Sequence, residues 1–410
     1  MDSFIAKQPI FDHHEDVYAY ELLFRAGLEN AFTWTDPDEA SAKVMADSSL
    51  LMGIEQLADG RPVFINATRD ILLNEYFFML PKERVTVEVL ETVEPDAEVV
   101  GMCRKLKEAG YTLALDDFVY RDEMKELVEL ADIIKVDFLV TTGAEERRAL
   151  VERFRRDGLS FLAEKVESRQ DFDQAREFGY HYSQGYFFSQ PQIVSAKAVP
   201  AFKPNLLRVM SEVQKPALDF DRLSELVKVE MSLTYKLLRY INSALFALSN
   251  KVNSIKHAMV MLGEAQFRKW VSFICLAGMG EDKPDELVVT ALARAMLCEA
   301  LAPRISKPEW SDRMFLLGLF SMLDAIMDRP LPELLDEMPI EDEIKAALLG
   351  DEGPLNDICR YVLAYERGRW EEMAELGQRL ELDEDGLPET ALDALTRARD
   401  TLSEIRPTPE

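Results

Sequence analysis

Eight short runs rich in β-branched and aromatic residues recur through the first half of the chain, with amphipathic runs of helical period between most of them. They are SFIAKQPIF (3–11), VYAYELLFR (17–25), PVFIN (62–66), RVTVEVL (84–90), TLALDDF (112–118), ADIIKVDF (131–138), LSFLAEKV (159–166) and YHYSQGYFF (180–188). The intervening runs include SAKVMADSSLLMGIEQLADG (41–60) and DAEVVGMCRKLKEAG (96–110), the second closed by Gly110 where a helix should stop. Strands that alternate with helices this often within about 190 residues fit a (β/α)8 barrel better than an open sheet. The first two strands are separated only by Asp-His-His-Glu-Asp (12–16), a hairpin connection, so one strand is expected to run against the others.

The alternation then stops. Pro200 and Pro204 mark a linker near residues 192–205, and the runs beyond it have helical period only: 220–229, 233–246, 254–263, 264–279, 286–302 and 312–327, followed by acidic helices. Short connections imply a compact helical bundle. The expected organisation is a barrel domain over 1–203 and a helical domain over 204–410, with the last residues, RPTPE, frayed.

Charge narrows the class of partner. Asp and Glu number 75 against 47 Lys and Arg, a formal net charge of −28. Nucleic acid and anionic membrane surfaces are normally met by a basic face, so neither is an expected partner. The N-terminal stretch lacks the basic flank and apolar core of a signal peptide, and no run of about 18 apolar residues suggests a membrane span, so a cytoplasmic location is expected. Cys103, Cys275, Cys298 and Cys359 are widely separated and are read as buried thiols rather than disulfide or zinc ligands.

Polar residues punctuate the strand candidates at or near their ends: Glu21, Asn66, Glu88, Asp116 with Asp117, Lys135 with Asp137, Glu164 and Gln184. In such a barrel the C-terminal strand ends converge on one mouth, where catalysis sits. Carboxylates and an amide gathered there form a hard-cation site by ligand type, suited to Mg²⁺, Mn²⁺ or Ca²⁺. Two ions about 3.5–4 Å apart would clamp the attacking and leaving oxygens of a phosphodiester, and Asp116 is placed to bridge them. The competing explanation, that each carboxylate caps the helix after its strand, serves each one singly but not the series. Lys135, inside the apolar run IIKVD, needs a charge partner that the carboxylates would provide; otherwise it snorkels from the strand end.

The ordered motifs QPI (8–10), E-L-L-x-R (21–25), N-x-T (66–68), E-x-x-E (88–91), DDF (116–118), KVD (135–137), AEKVE (163–167) and SQGYFF (183–188) resemble the EAL domain, which binds and hydrolyses cyclic di-GMP. The resemblance spans about residues 1–192. It implies a two-ion site for Mg²⁺ or Mn²⁺ held by Glu21, Asn66, Glu88, Asp116, Asp117 and Glu164. It further implies Lys135, Glu164 and Glu21 as the catalytic residues and Gln8, Arg25 and Gln184 on the substrate. Asp137 would hold Lys135 and the ion shell, and Glu91 and Glu167 would support the site from outside it. The reaction implied is in-line attack of water on one phosphodiester, giving the linear dinucleotide.

The chain departs from the family pattern beside the Asp pair. Where the family has D-D-F-G-T-G, it has Asp117-Phe118-Val119-Tyr120-Arg121 with both glycines gone, so the loop must take another path. Leu22 replaces the alanine of the eponymous motif and Leu90 the threonine of E-x-T-E. With ligands kept and supports altered, low or absent turnover with ligand sensing is expected; the alternative is an active cyclic di-GMP phosphodiesterase. In the helical half, Asn242-Ser243-Ala244 and the pattern Ser254-Ile255, Ala258, Leu262-Gly263 resemble the HDOD domain. That resemblance implies a domain that engages a protein partner. His257 is the only histidine of this half and no His-Asp dipeptide occurs, so metal chemistry is not expected there; His257 is read as structural, and Trp270, Phe273 and Met296 as core. His13, His14 and His181 are read as turn or strand-surface residues, and the oligomeric state is left open.

Overall fold

The structure, a computed structural model, describes residues 3–26, 60–185, 203–219 and 255–406, with isolated positions between them. The chain separates into two compact units, Met1–Phe188 with Tyr365–Trp370, and Ser189–Ala364 with Glu371–Glu410.

The first unit is a closed eight-stranded barrel in sequence order. Its strands are β1 (Ser3–Asp12), β2 (Val17–Ala26), β3 (Val63–Ala67), β4 (Val85–Val89), β5 (Thr112–Leu115), β6 (Ile133–Asp137), β7 (Ser160–Glu164) and β8 (Tyr182–Gln184). β1 is antiparallel to both β2 and β8, while β2 to β8 run parallel, so the hairpin expectation holds. The hairpin closes because Asp12 Oδ1 accepts from the N–H groups of His14 (2.7 Å) and Asp16 (3.1 Å). Glu15 takes the left-handed conformation there, and His13 and His14 are exposed.

Helices fill the connections: α1 (Arg69–Leu73), α2 (Ala97–Ala109), α3 (Lys125–Leu130), α4 (Ala144–Phe154) and α5 (Arg169–Phe178). α2 starts where the sequence suggests, with Asp96 accepting from Glu98 N–H and Val99 N–H, and it ends on Gly110 at φ 95°. The expected helix over 41–60 lies almost wholly outside the described residues.

Among the described residues that follow the barrel, the helices are α6 (Lys203–Val213), α7 (Ile255–Leu262), α8 (Glu264–Met279), α9 (Asp285–Arg304), α10 (Ser311–Phe320) and α11 (Leu323–Met327). They continue as Leu331–Asp336, Asp342–Leu348, Pro354–Glu366, Trp370–Arg379 and Leu387–Ile405. Two expectations are corrected. Pro204 lies within α6 rather than in a linker, because proline in a first turn forfeits no intrahelical bond. The run 312–327 is two helices rather than one, and Ser321 at the break donates to Gly318 O (2.7 Å) and accepts from Arg294 Nη1 (2.7 Å). Trp270, Phe273 and Met296 are buried as expected, and so are all four free cysteines. Asn242 clasps the chain near its HDOD-like motif: its side chain donates to Leu238 O and Val252 O and accepts from Val252 N–H, each at 2.7 Å. Most of 220–254 lies outside the described residues, and His257 is partly buried.

Candidate metal and ligand site

One layer of the barrel interior is apolar: Ile10, Ala19, Phe64, Ala114, Ile133 and Leu162 form a buried cluster. Side chains on a strand alternate between faces, so the residues two positions further towards the mouth point inward as well. On β2, β3, β6 and β7 those residues are Glu21, Asn66, Lys135 and Glu164, directly after β5 it is Asp116, and on antiparallel β1 the step runs backward to Gln8. Glu88 pairs in register with Asn66 and Ala114, Gln184 with Ile10, and Asp137 with Glu164. The site is thus the next layer of the barrel after its apolar floor.

Lys135 is its centre. Its Nζ is 2.8 Å from Glu164 Oε1, 3.0 Å from Asp116 Oδ1 and 3.3 Å from Glu21 Oε2, and it also donates to Glu88 Oε1. Lys135 and Glu88 are 1% and 0% exposed, so the snorkelling alternative is set aside. Burial opposes the lysine's charge, but Glu164, Glu21, Glu88 and Asp116 outweigh it and hold its pKa well above the usual value. The carboxylates are driven apart by their surroundings. Burial and the Glu21 charge push Glu88 well up against the pull of Lys135, and burial pushes Glu164 up to about 8. At Asp116 burial acts in the same direction, yet Lys135 overrides it and leaves the carboxyl below its usual range.

Four carboxyl groups face one ammonium, more acidic groups than a single lysine can pair. Oxygens of Glu21, Glu88 and Glu164 lie within 4.8 Å of one another, and oxygens of Glu91, Asp116 and Asp117 form a second such group. Asn66 Oδ1, Glu88 Oε2, Asp117 Oδ1, Glu164 Oε2 and Gln184 Oε1 are buried oxygens that accept no hydrogen bond. Buried acceptors normally find donors. Five orphaned oxygens in a mouth crowded with carboxyl groups fit a hard divalent cation, as the donor set fits Mg²⁺, Mn²⁺ or Ca²⁺.

The supporting contacts are specific. Gln184 Nε2 donates to Glu21 Oε2 (2.6 Å) and Gln8 Oε1 (3.2 Å), and Asn66 Nδ2 lies 3.4 Å from Glu21 Oε1. Gln184 is held by Gly185, whose φ is 148° and where a Cβ would fall 2.2 Å from Val166 O, so the SQG motif needs glycine at its third position. Arg25 pairs in register with Phe4, but its side chain lies outside what the structure describes. Glu91 is exposed beside the Asp pair, whereas Glu167 is exposed and bonds none of the cluster.

Asp137 does not hold Lys135. Its Oδ1 accepts from Leu139 N–H (2.6 Å) and Val140 N–H (3.1 Å), and its Oδ2 accepts from Lys165. Sequence reasoning passed over Lys165; the signal was a cation directly after Glu164 in AEKVE. It also missed Arg147, which fixes the loop after β6 by donating to Phe138 O and Thr141 O (2.6 Å each) and to Asp171 (3.0 Å). After the Asp pair, Asp117 alone takes the left-handed conformation, at φ 38°, and Val119 and Arg121 do not. β5 stops at Leu115 rather than at 118, and the loop is seated by aromatic packing. Phe118 and Tyr120 lie 5.5 and 5.2 Å from the Phe154 ring on α4, with Arg153 over Tyr120.

Two domain families match the chain, the EAL domain over residues 20–191 and the HDOD domain over 199–338. The uncharacterized protein YuxH of Bacillus subtilis is 35% identical over 94% of this chain and 95% of its own. Cyclic di-GMP phosphodiesterase CdgJ of Vibrio cholerae is 32% identical over 97% of this chain and 93% of its own. Among solved structures, the calcium and cyclic di-GMP complex of BlrP1 from Klebsiella pneumoniae shares 20% identity over 46% of this chain and 56% of that one, with a TM-score of 0.39.

Proposed function

Since the chain belongs to the family of two-domain proteins that join an EAL domain to an HDOD domain, we propose that it is a signalling protein of the cyclic di-GMP system whose barrel mouth receives the dinucleotide on a divalent cation, Mg²⁺ or Mn²⁺. The observation that carries this is the set of orphaned oxygens around Lys135, which suits a cation and, through it, a phosphodiester. Glu21, Asn66, Glu88, Asp116, Asp117 and Glu164 are the proposed ligands. A bound cation would screen the phosphate charge and lower the pKa of a water at the phosphorus. With the cation bound, Glu164 would take a proton from that water, and Lys135, 2.8 Å from its Oε1, would fix the Glu164 carboxylate in place. Gln8, Gln184 and Arg25 line the dinucleotide's approach, with Arg25 on a phosphate. The functional division is a ligand-binding barrel over 1–203 and an HDOD-type domain over 204–410 that engages a protein partner, in the cytoplasm. Among the described residues no helix is long and apolar enough to cross a membrane.

Two readings of turnover divide at the mouth. The engaged Asp137 and the aromatic loop favour a barrel that binds and hydrolyses slowly if at all. The complete oxygen set favours hydrolysis, the activity named for CdgJ. Incubation with cyclic di-GMP and Mg²⁺ or Mn²⁺, with linear product followed by chromatography and Glu21→Ala as control, separates them. Product that vanishes in the variant establishes a phosphodiesterase, and no product over hours means that the Asp pair is a relic or a binding site and that the protein acts as an adaptor.

A further inference from the structure

Lys165 follows Glu164 directly and stands at φ 52°, a region that residues with a Cβ avoid. From there its ammonium reaches back over the mouth to Asp137 Oδ2 and to Asp117 Oδ2 at 3.4 Å. Asp117, at φ 38°, is also left-handed. Two backbone-strained residues at the rim are therefore tied to each other, and strain of this kind persists where surrounding contacts over-determine it. With Oδ1 held by two backbone N–H groups and Oδ2 by Lys165, Asp137 has a donor on each oxygen, while Asp117 keeps only Oδ1 unpartnered. Of the two oxygen groups, Lys165 sits on the one containing Asp116 and Asp117.

We propose that Lys165 is a tethered cation that fills the second ion position of the mouth, balancing Asp117 and Asp137 in place of a divalent ion, so that the barrel takes up one ion tightly where its ligand set has room for two. An ammonium a few ångströms away repels a second divalent charge and consumes an oxygen that the ion would need. The Lys165 side chain is 47% exposed, so it competes with the ion rather than walling it out. This rests on the cation reading above.

The test is calorimetric titration of Mn²⁺ into metal-stripped full-length protein, with electron paramagnetic resonance to report coupled manganese pairs. Three forms are compared: wild type, Lys165→Gly, which suits the positive φ, and Lys165→Arg, which keeps the charge. One tight ion is expected in wild type and in Lys165→Arg. In Lys165→Gly a second ion should bind roughly tenfold or more tightly than in wild type, with a coupled signal in that variant only. Two ions of unchanged affinity in both wild type and Lys165→Gly, or a single ion in all three forms, would overturn the inference and leave the cation reading standing. No ion in any form would overturn both.

Discussion

Lys135 Nζ lies 2.8 Å from Glu164 Oε1, and the two residues stand on neighbouring parallel strands one inward step apart: Lys135 pairs in register with Leu162, and Glu164 is the next inward residue of β7. This stagger lets one lysine reach carboxylates from three strands and from Asp116 just past β5 at once. It also makes the lysine the only counter-charge at the centre of the cluster among the described residues.

Replacing Lys135 by Met leaves those buried carboxylates uncompensated. Removing one partner of a buried ion pair costs about 3–5 kcal/mol. Urea unfolding of the cation-free variant should show a loss of that order, partly recovered on adding Mg²⁺, because the added ion supplies the missing charge. An unchanged midpoint would mean that the carboxylates are protonated in the cation-free protein.

The raised Glu164 carboxyl sets a pH dependence with a defined sign. Its pKa in the folded chain, about 8, lies above the ordinary carboxylate value of 4.5, so the folded state binds a proton that the unfolded state has already released. That contribution to stability is complete below about pH 4.5 and is lost as pH rises through about 8. Cation binding runs the other way, since the ion needs the ionised oxygen, and affinity should climb with pH until it levels near 8. Calorimetry at pH 6 and 8 checks both the climb and the accompanying proton release.

Gln184 acts through Glu21, to which it donates at 2.6 Å. Outer partners of this kind change metal affinity or activity by about 10–100-fold when removed. Gln184→Ala should weaken Mg²⁺ binding by that factor with little change in the urea midpoint, whereas a purely structural glutamine would move the midpoint alone.

Gly185→Ala tests the backbone beneath the SQG motif. The added Cβ would strike Val166 O, and a backbone atom cannot swing aside. A stability loss of at least about 1–3 kcal/mol is expected in urea unfolding, accompanied by weaker cation binding as Gln184 shifts.

Much of the barrel was legible because its strands are short, β-branched and separated by helical runs, and the period of two then carries Glu21, Asn66, Asp116, Lys135 and Glu164 to one face. What escaped was set by geometry that residue type does not encode. A lysine after a strand end reads as a surface residue, and only the left-handed turn at Lys165 brings its ammonium back onto Asp137 and Asp117. The family resemblance implies that Asp137 holds Lys135, yet the backbone of Leu139 and Val140 and the side chain of Lys165 occupy it. Glu167 follows the motif in sequence but remains exposed. In the bundle, the hydrophobic period runs through Ser321 without interruption, so the break between α10 and α11 is visible only in the contacts of that serine.

The most direct measurement is equilibrium binding of cyclic di-GMP to the full chain, metal-stripped and with Mg²⁺, in wild type and Glu21→Ala. Saturable binding that requires the cation and is lost in the variant is expected if the oxygen layer around Lys135 is the ligand site. No binding with Mg²⁺, or binding that is the same without the ion and in Glu21→Ala, would contradict it.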